Sequence, residues 1–258
     1  SATPGLQFNQ YSPTITVYNL RGVSQNDFSD HQEAPVAVYV DDAYVAAMGA
    51  LAGSMFDLDR VEILRGPQGT LFGRNATGGL IHYVSKKPSF KPEGYLTVGA
   101  GNFGSFTTEG ALNGALSDGV AGRLAFSTSK RDGYITNTIG PALNDQNQYA
   151  ARAQLLFNPT DASSVLVSLH GLKNDKEHSG IYSWGASHAD PVTGLGYFIS
   201  ADDPVNGACP GCDFFGYRNP SSDVYTQTED RVGYFERTSW GTTAHVNWKL
   251  GGGVDLTS

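Results

Sequence analysis

The sequence predicts a small α+β domain followed by antiparallel transmembrane β-barrel strands. Three observations predict it. Five glycines fall within residues 66–79, directly after the short β-run Val61-Glu62-Ile63-Leu64. From about residue 93, apolar and polar residues alternate along successive segments. The connections between those segments are alternately short and long.

Composition supports that reading. The chain has 258 residues, a formal net charge of −8, 32 glycines, 13 tyrosines and 13 phenylalanines. Charged residues are 16% of the chain, against about a quarter in ordinary soluble domains. The acidic balance argues against nucleic acid, which needs a basic footprint. There is no apolar run of about 18 residues or more, so no transmembrane helix is expected. Barrel strands need only about 9–11 residues each, with apolar and polar positions alternating. Two regions follow, 1–90 and 91–258, joined by Lys87-Pro88-Ser89-Phe90-Lys91-Pro92, where two prolines interrupt regular structure.

In the first region, Thr14 to Val17 is a short strand candidate. Ala34 to Val40 is a second, nearly all apolar and therefore expected to be buried on both faces. Ala43 to Met55, rich in Ala and Met, reads as a short helix or an apolar loop. Asp57 to Arg60 reads as a polar helix start or a turn. Val61 to Leu64 and Leu80 to Val84 complete four strands. The glycine-rich stretch between them excludes a helix interior, since each Gly there costs about 1 kcal/mol relative to Ala. It reads as tight loops.

In the second region the clearest strand is Ser239 to Leu250. Trp240, Thr242, Ala244, Val246, Trp248 and Leu250 share one face; Gly241, Thr243, His245 and Asn247 fall on the other. Eight residues separate the tryptophans, about 26 Å along a strand. Tilted by about 40°, that spacing suits two aromatic girdles around an apolar band roughly 20–25 Å tall. Gln148 to Asn158, Ser163 to Leu172 and the stretch around Leu124 repeat the alternation. Short turns at 117–119, 158–161 and 251–253 alternate with long links at about 132–146 and 175–235, as in an outer-membrane barrel. Six strands are expected, with a seventh from Val254. An open, lipid-facing sheet edge leaves backbone groups unpaired in hydrocarbon, so the chain is expected to be part of a longer protein.

Arg65-Gly66-Pro67-Gln68-Gly69-Thr70-Leu71-Phe72-Gly73-Arg74-Asn75, with Gly78-Gly79 and Ile81-His82-Tyr83-Val84, closely resembles the plug-domain signature of TonB-dependent outer-membrane receptors. Leu20-Arg21-Gly22-Val23 and Val38-Tyr39-Val40-Asp41 support the match. Asp42 stands where the family often has Gly, and His82 where it often has Asn. The resemblance implies a plug inside a barrel of about 22 strands. It implies uptake of a scarce extracellular ligand, most often a ferric siderophore or similar iron chelate, into the periplasm with energy from TonB. The implied partners are TonB, a small-molecule ligand and outer-membrane lipid; no cofactor, resident metal or nucleic acid is implied.

By the same resemblance, Arg21, Glu62 and Arg65 match plug charges that contact the barrel wall. Gln25, Asn26, Asp27, Phe28 and Met48 fall in the outward-facing plug loops and are the candidate ligand contacts. Tyr182, Trp184, His188 and the Cys209–Cys212 loop are further candidates from the barrel side. The two cysteines sit in Cys209-Pro210-Gly211-Cys212, which permits a loop disulfide, a redox pair or half a zinc site; without a βαβ context or second ligand pair, the disulfide is the simplest reading.

An enzyme is not expected. The glycine stretch lacks the G-x-x-x-x-G-K-[ST] spacing of a phosphate loop and leads into a strand. The six histidines show no metal-binding spacing. An adhesin or passive porin would share the strands but has no reason for the Arg65–Gly79 signature. A truncated receptor without function is the remaining alternative.

Overall fold

The computed structural model describes residues 3–12, 15–24, 34–46, 55–73, 75–160, 162–177, 180, 187–189, 193, 196–198, 217–251 and 254–257. The N-terminal region begins with a hairpin of β1 (Leu6–Ser12) and β2 (Ile15–Leu20), paired antiparallel from Leu6↔Leu20. A four-stranded mixed sheet follows. It comprises β3 (Val36–Val40), β4 (Ala43–Tyr44), β5 (Leu58–Arg65) and β6 (Gly79–Ser85) in the order β4-β3-β6-β5. β3 runs parallel to β6, and β5 antiparallel to it.

The sequence explains the central pair. β6 is buried at every residue. Val36, Val38, Ile81 and Tyr83 pack on one face with Tyr18 and Leu20. Ala37 and Leu80 pack on the other with Ala76, Tyr39 and Phe72. Burial on both faces is what the near-continuous apolar run of β3 foretells. β3 and β4 join through Asp41 (φ 47°) and Asp42 (φ 68°), a two-residue turn with both residues left-handed. That is the turn suited to a twisted hairpin, and aspartate is one of the few non-glycine residues that tolerates it.

β1 lies ahead of the first strand that the sequence suggests. Two local expectations need correction. The glycine-rich stretch contains one helical turn, α1 (Gly69–Phe72), closed by Gly73 N–H donating to Gly69 O at 3.0 Å. Asp57 starts no helix; it has φ 50° and leads straight into β5. Gly79 is required sterically: a Cβ there would lie 2.3 Å from Leu20 Cδ2 and 2.6 Å from Leu64 O.

The wall is a seven-stranded antiparallel sheet in sequential order. Its strands are β7 (Glu93–Gly101), β8 (Ser105–Ser117), β9 (Val120–Arg131), β11 (Gln146–Thr160), β12 (Ser163–Glu177), β16 (Tyr234–Gly251) and β17 (Val254–Thr257). Tight turns close at Ser117↔Val120, Thr160↔Ser163 and Gly251↔Val254. The alternation sorts residues as the sequence implies. Trp240, Trp248, Leu96, Leu112, Leu124 and Leu169 face outward and are exposed, Trp240 at 76%. Arg123, Arg152, Gln154 and Ser168 face inward and are buried. The inner face also buries Leu166, Leu172 and several alanines, because the plug covers it rather than water.

Residues 131–146 and 176–235 form a second compact unit. In it β10 (Thr136–Asn137) pairs in parallel with β15 (Thr226–Gln227), and β13 (Ser187–Ala189) pairs with β14 (Gly196–Phe198). The Asn137 amide spans to both backbone groups of Glu229, accepting from its N–H at 3.0 Å and donating to its carbonyl at 2.9 Å.

Candidate functional site

The plug meets the wall through two adjacent residues at the start of β5. The Phe56 ring enters a socket of Ala111, Ala125, Ala150 and Leu172 on the inner faces of β8, β9, β11 and β12. Small residues at these positions leave room for the ring. The Arg152 guanidinium lies 4.7 Å from the Phe56 ring centroid and donates to the Phe56 carbonyl at 3.3 Å. Arginine over an aromatic face adds electrostatic attraction to the packing.

Asp57 follows and is almost completely buried. Arg123 grips it with two bonds, Nε to Oδ2 at 2.7 Å and Nη2 to Oδ1 at 2.5 Å. The side chains of both partners are essentially out of solvent, 0% exposed for Asp57 and 4% for Arg123. Tyr95 donates to Glu109 Oε1 at 2.7 Å and stands 3.3 Å from Asp57 Oδ1. The same Glu109 oxygen accepts the Asp57 N–H at 3.1 Å. A buried carboxylate is tolerable only when paired and hydrogen-bonded, and this one is both.

A second tie holds the linker that leaves the plug. Asn113 on β8 accepts from Ser89 N at 3.0 Å and donates to Lys91 O at 2.8 Å.

A third contact is polar and more open. His82 lies between two carboxylates, with Glu62 Oε2 3.3 Å from Nδ1 and Asp42 Oδ1 3.4 Å from Nε2. The Asp42 N–H also donates to Nε2 at 3.2 Å. Asp42 Oδ2 lies 3.9 Å from His245 on β16. The two positions that depart from the family pattern, Asp42 and His82, therefore touch each other.

Between the β3–β4 turn and the inner wall lies a cavity of about 380 Å³. Phe56, Ala150 and Leu172 supply apolar surface, and Arg152, His170, Asp41 and Tyr44 are charged or ionisable groups among the described lining residues. Asp41 is already engaged by the plug. It accepts from the Ser85 N–H at 2.8 Å, and the Ser85 hydroxyl donates to its second oxygen.

The residues expected from the sequence fall in several places. Glu62 pairs within the plug, accepting from Arg60 Nε at 2.6 Å. That bond, and then His82, hold its carboxyl below the usual range although the side chain is partly exposed. Arg21 (φ 55°) and Arg65 are exposed on the plug, and among the described residues neither forms an ion pair. Gln25, Asn26, Asp27, Phe28 and Met48 lie outside the described residues, as do Tyr182, Trp184, Cys209 and Cys212. His188 lies in β13. Among the described residues no three His, Cys, Asp or Glu side chains are placed to share a metal ion. The Phe56–Asp57 anchor is absent from the sequence reading. Its signal was faint: a Phe-Asp pair before β5 and a lone arginine at an inward position of β9.

Comparison with known proteins agrees with this architecture. The family model for the TonB-dependent receptor plug domain matches residues 1–80. The pesticin receptor of Yersinia pestis is 32% identical over 154 residues, 59% of this chain and 22% of that protein. The ferrioxamine B receptor of Salmonella typhimurium is 28% identical over 242 residues, 91% of this chain and 31% of that protein. The crystal structure of the ferric yersiniabactin uptake receptor from Yersinia pestis superposes with a TM-score of 0.71 at 22% identity, covering 96% of this chain and 35% of that one. The chain thus spans between about a fifth and a third of the length of the curated relatives it matches. Residues 1–80 match the plug-domain family of TonB-dependent receptors, and over most of its length the chain is similar to outer-membrane receptors of that kind.

Proposed function

We propose that this protein binds a scarce extracellular ligand and imports it to the periplasm with energy supplied through TonB, the ligand being a ferric siderophore or similar iron chelate. The observation that carries this reading is the attachment of the plug to the inner wall by Phe56 and the buried Asp57–Arg123 pair. A passive pore gains nothing from a domain fastened across its lumen. The similar proteins point to the ligand class: receptors for ferrioxamine B and ferripyoverdine, and an uptake receptor for ferric yersiniabactin. A vitamin B12 transporter of Vibrio vulnificus is also similar, at 29% identity, so cobalamin is the competing cargo.

Within this reading, Gln25, Asn26, Asp27, Phe28 and Met48 are the plug's ligand-facing residues. Arg21, Glu62 and Arg65 face barrel-wall partners, the plug ends near residue 90, and Cys209 and Cys212 close a loop disulfide. The test is uptake of radioiron from defined ferric chelates in cells with and without the gene. Loss of uptake for one chelate class, restored by the gene and abolished by a protonophore, supports the proposal. Unchanged iron uptake with lost cobalamin uptake would redirect it, and unchanged uptake of both would overturn it.

A further inference from the structure

We propose that the seam between the β3–β4 turn and wall strands β11, β12 and β16 is the passage by which cargo leaves for the periplasm, held shut by the contact of Asp42 with His245. The passage rests on the uptake proposed above; the opening of the seam does not.

Two cavities follow one another along this seam. Among the residues lining the larger, about 380 Å³, are Ala150 and Arg152 of β11, His170 and Leu172 of β12 and Ser239 of β16. Among those lining the smaller, about 60 Å³, are Gln154 of β11, Leu166 and Ser168 of β12 and His245 of β16. Each of the three strands thus passes from the first cavity to the second in the direction of the tight turns at Thr160↔Ser163 and Gly251↔Val254. Short turns mark the periplasmic end of an outer-membrane barrel. Asp41 and Thr243 line both cavities, so the two spaces adjoin at these residues.

The contact across the seam is the weak one. At the anchor, Asp57 and Arg123 meet at 2.5 Å with side chains 0% and 4% exposed. Asp42 stands 3.9 Å from His245 with its side chain 66% exposed, and exposed pairs contribute little. The turn itself is fastened to the plug. Asp41 accepts from the Ser85 N–H and hydroxyl, and its own N–H donates to the Tyr83 carbonyl at 3.0 Å. Displacement of the plug therefore parts the turn from β16 before it unravels the turn or frees Phe56 and Asp57. Parting joins the two cavities, with Gln154, Ser168 and Thr243 as polar lining.

Ser168 is buried and lines the smaller cavity, so a thiol introduced by Ser168→Cys reports opening. Full-length receptor carrying Cys209→Ser and Cys212→Ser is purified from outer membranes, and modification of that thiol by a maleimide is timed. Asp42→Gly keeps the left-handed turn and is expected to speed modification about two- to fivefold, the fold-change that loss of one exposed pair gives. Asn113→Ala, at the linker, is expected to leave the rate unchanged. Equal rates in Asp42→Gly and its parent would overturn the closing contact. In cells, Asp42→Cys with His245→Cys is bridged by a short, reducible bis-thiol reagent. Uptake of ferric chelates is expected to fall at least tenfold and to return on reduction. Bridging Ser89→Cys with Asn113→Cys is expected to leave uptake intact. Heat-modifiable migration on a denaturing gel confirms that each variant is folded. Full uptake through the bridged seam would overturn the passage. Absence of uptake in the unbridged parent would overturn the uptake reading and the passage with it, while the maleimide rates still decide whether the seam opens.

Discussion

The two sheets of this molecule bury their strands by different rules. β6 of the plug, Gly79–Ser85, is buried at every residue. β11 of the wall alternates residue by residue, with Ala150, Arg152 and Gln154 inward and Tyr149, Ala151, Ala153 and Leu155 outward. Both are hydrogen-bonded strands, so backbone pairing does not set the pattern. The covering of each face does. Protein covers both sides of β6. Lipid faces one side of β11 and the plug the other, which reverses the usual order: the outer face is the greasy one and the inner face holds the charges. Between the two sheets, the most deeply buried contacts of the plug with the wall are one aromatic ring and one carboxylate.

The sharpest way to break the contrast is at that contact. Arg123→Ala leaves the Asp57 carboxylate buried without its partner, and such losses cost about 3–5 kcal/mol. A large fall in the thermal midpoint is expected, and Asp57→Asn combined with Arg123→Met should recover most of it. If Arg123→Ala leaves the midpoint unchanged, the pair does not hold the plug. Phe56→Ala empties the alanine socket and is expected to cost about as much, or slightly less as the site relaxes, up to about 3–5 kcal/mol.

The lipid-facing rule is tested by Leu124→Arg, expected to cost about 2–4 kcal/mol if the residue sits near the bilayer midplane. Full tolerance of that change would argue that this face meets water. Asn113→Ala removes the side chain that holds Ser89 and Lys91, and leaves those backbone groups unpaired at about 1–3 kcal/mol. Limited proteolysis of the 86–92 linker should accelerate in that variant.

The smallest expected effect lies at the turn. Asp42→Gly relieves a left-handed backbone at φ 68° but gives up the carboxylate contacts to His82 and His245. The net change should stay within about 1 kcal/mol, since exposed ion pairs contribute little. Measured in a His82→Asn background, the same substitution should become more favourable. Simple additivity would show that the two departures from the family pattern are independent.

Much of this arrangement was legible in the residues. Trp240 and Trp248 mark the lipid face, and the polar set on β11 marks the inner one. The all-apolar runs around Val36 and Leu80 mark strands buried on both sides. What stayed hidden shares one cause: it depends on partners distant in sequence. Asp57 reads locally as a turn residue, and nothing near it points to Arg123, 66 positions away. Leu166 and Leu172 look misplaced on a polar face until the plug is laid against it. The helical turn of α1 rests on local backbone bonds to the Gln68 and Gly69 carbonyls, which residue composition does not report. The family signature located the plug, while Asp57, the buried charge that meets the described wall strands, lies outside that signature.

The anchor also fixes an order of events during folding. The bond from Arg152 to the Phe56 carbonyl closes a loop of 96 residues, and the socket for that ring is assembled from four successive strands. Contacts so distant in sequence form late, because the entropy of closing the intervening chain is lost before the contact repays it. The plug, synthesised first, therefore waits for its wall. Until β11 and β12 join β9, the socket of Phe56 is incomplete, so the pairing of these strands is also what seats the plug.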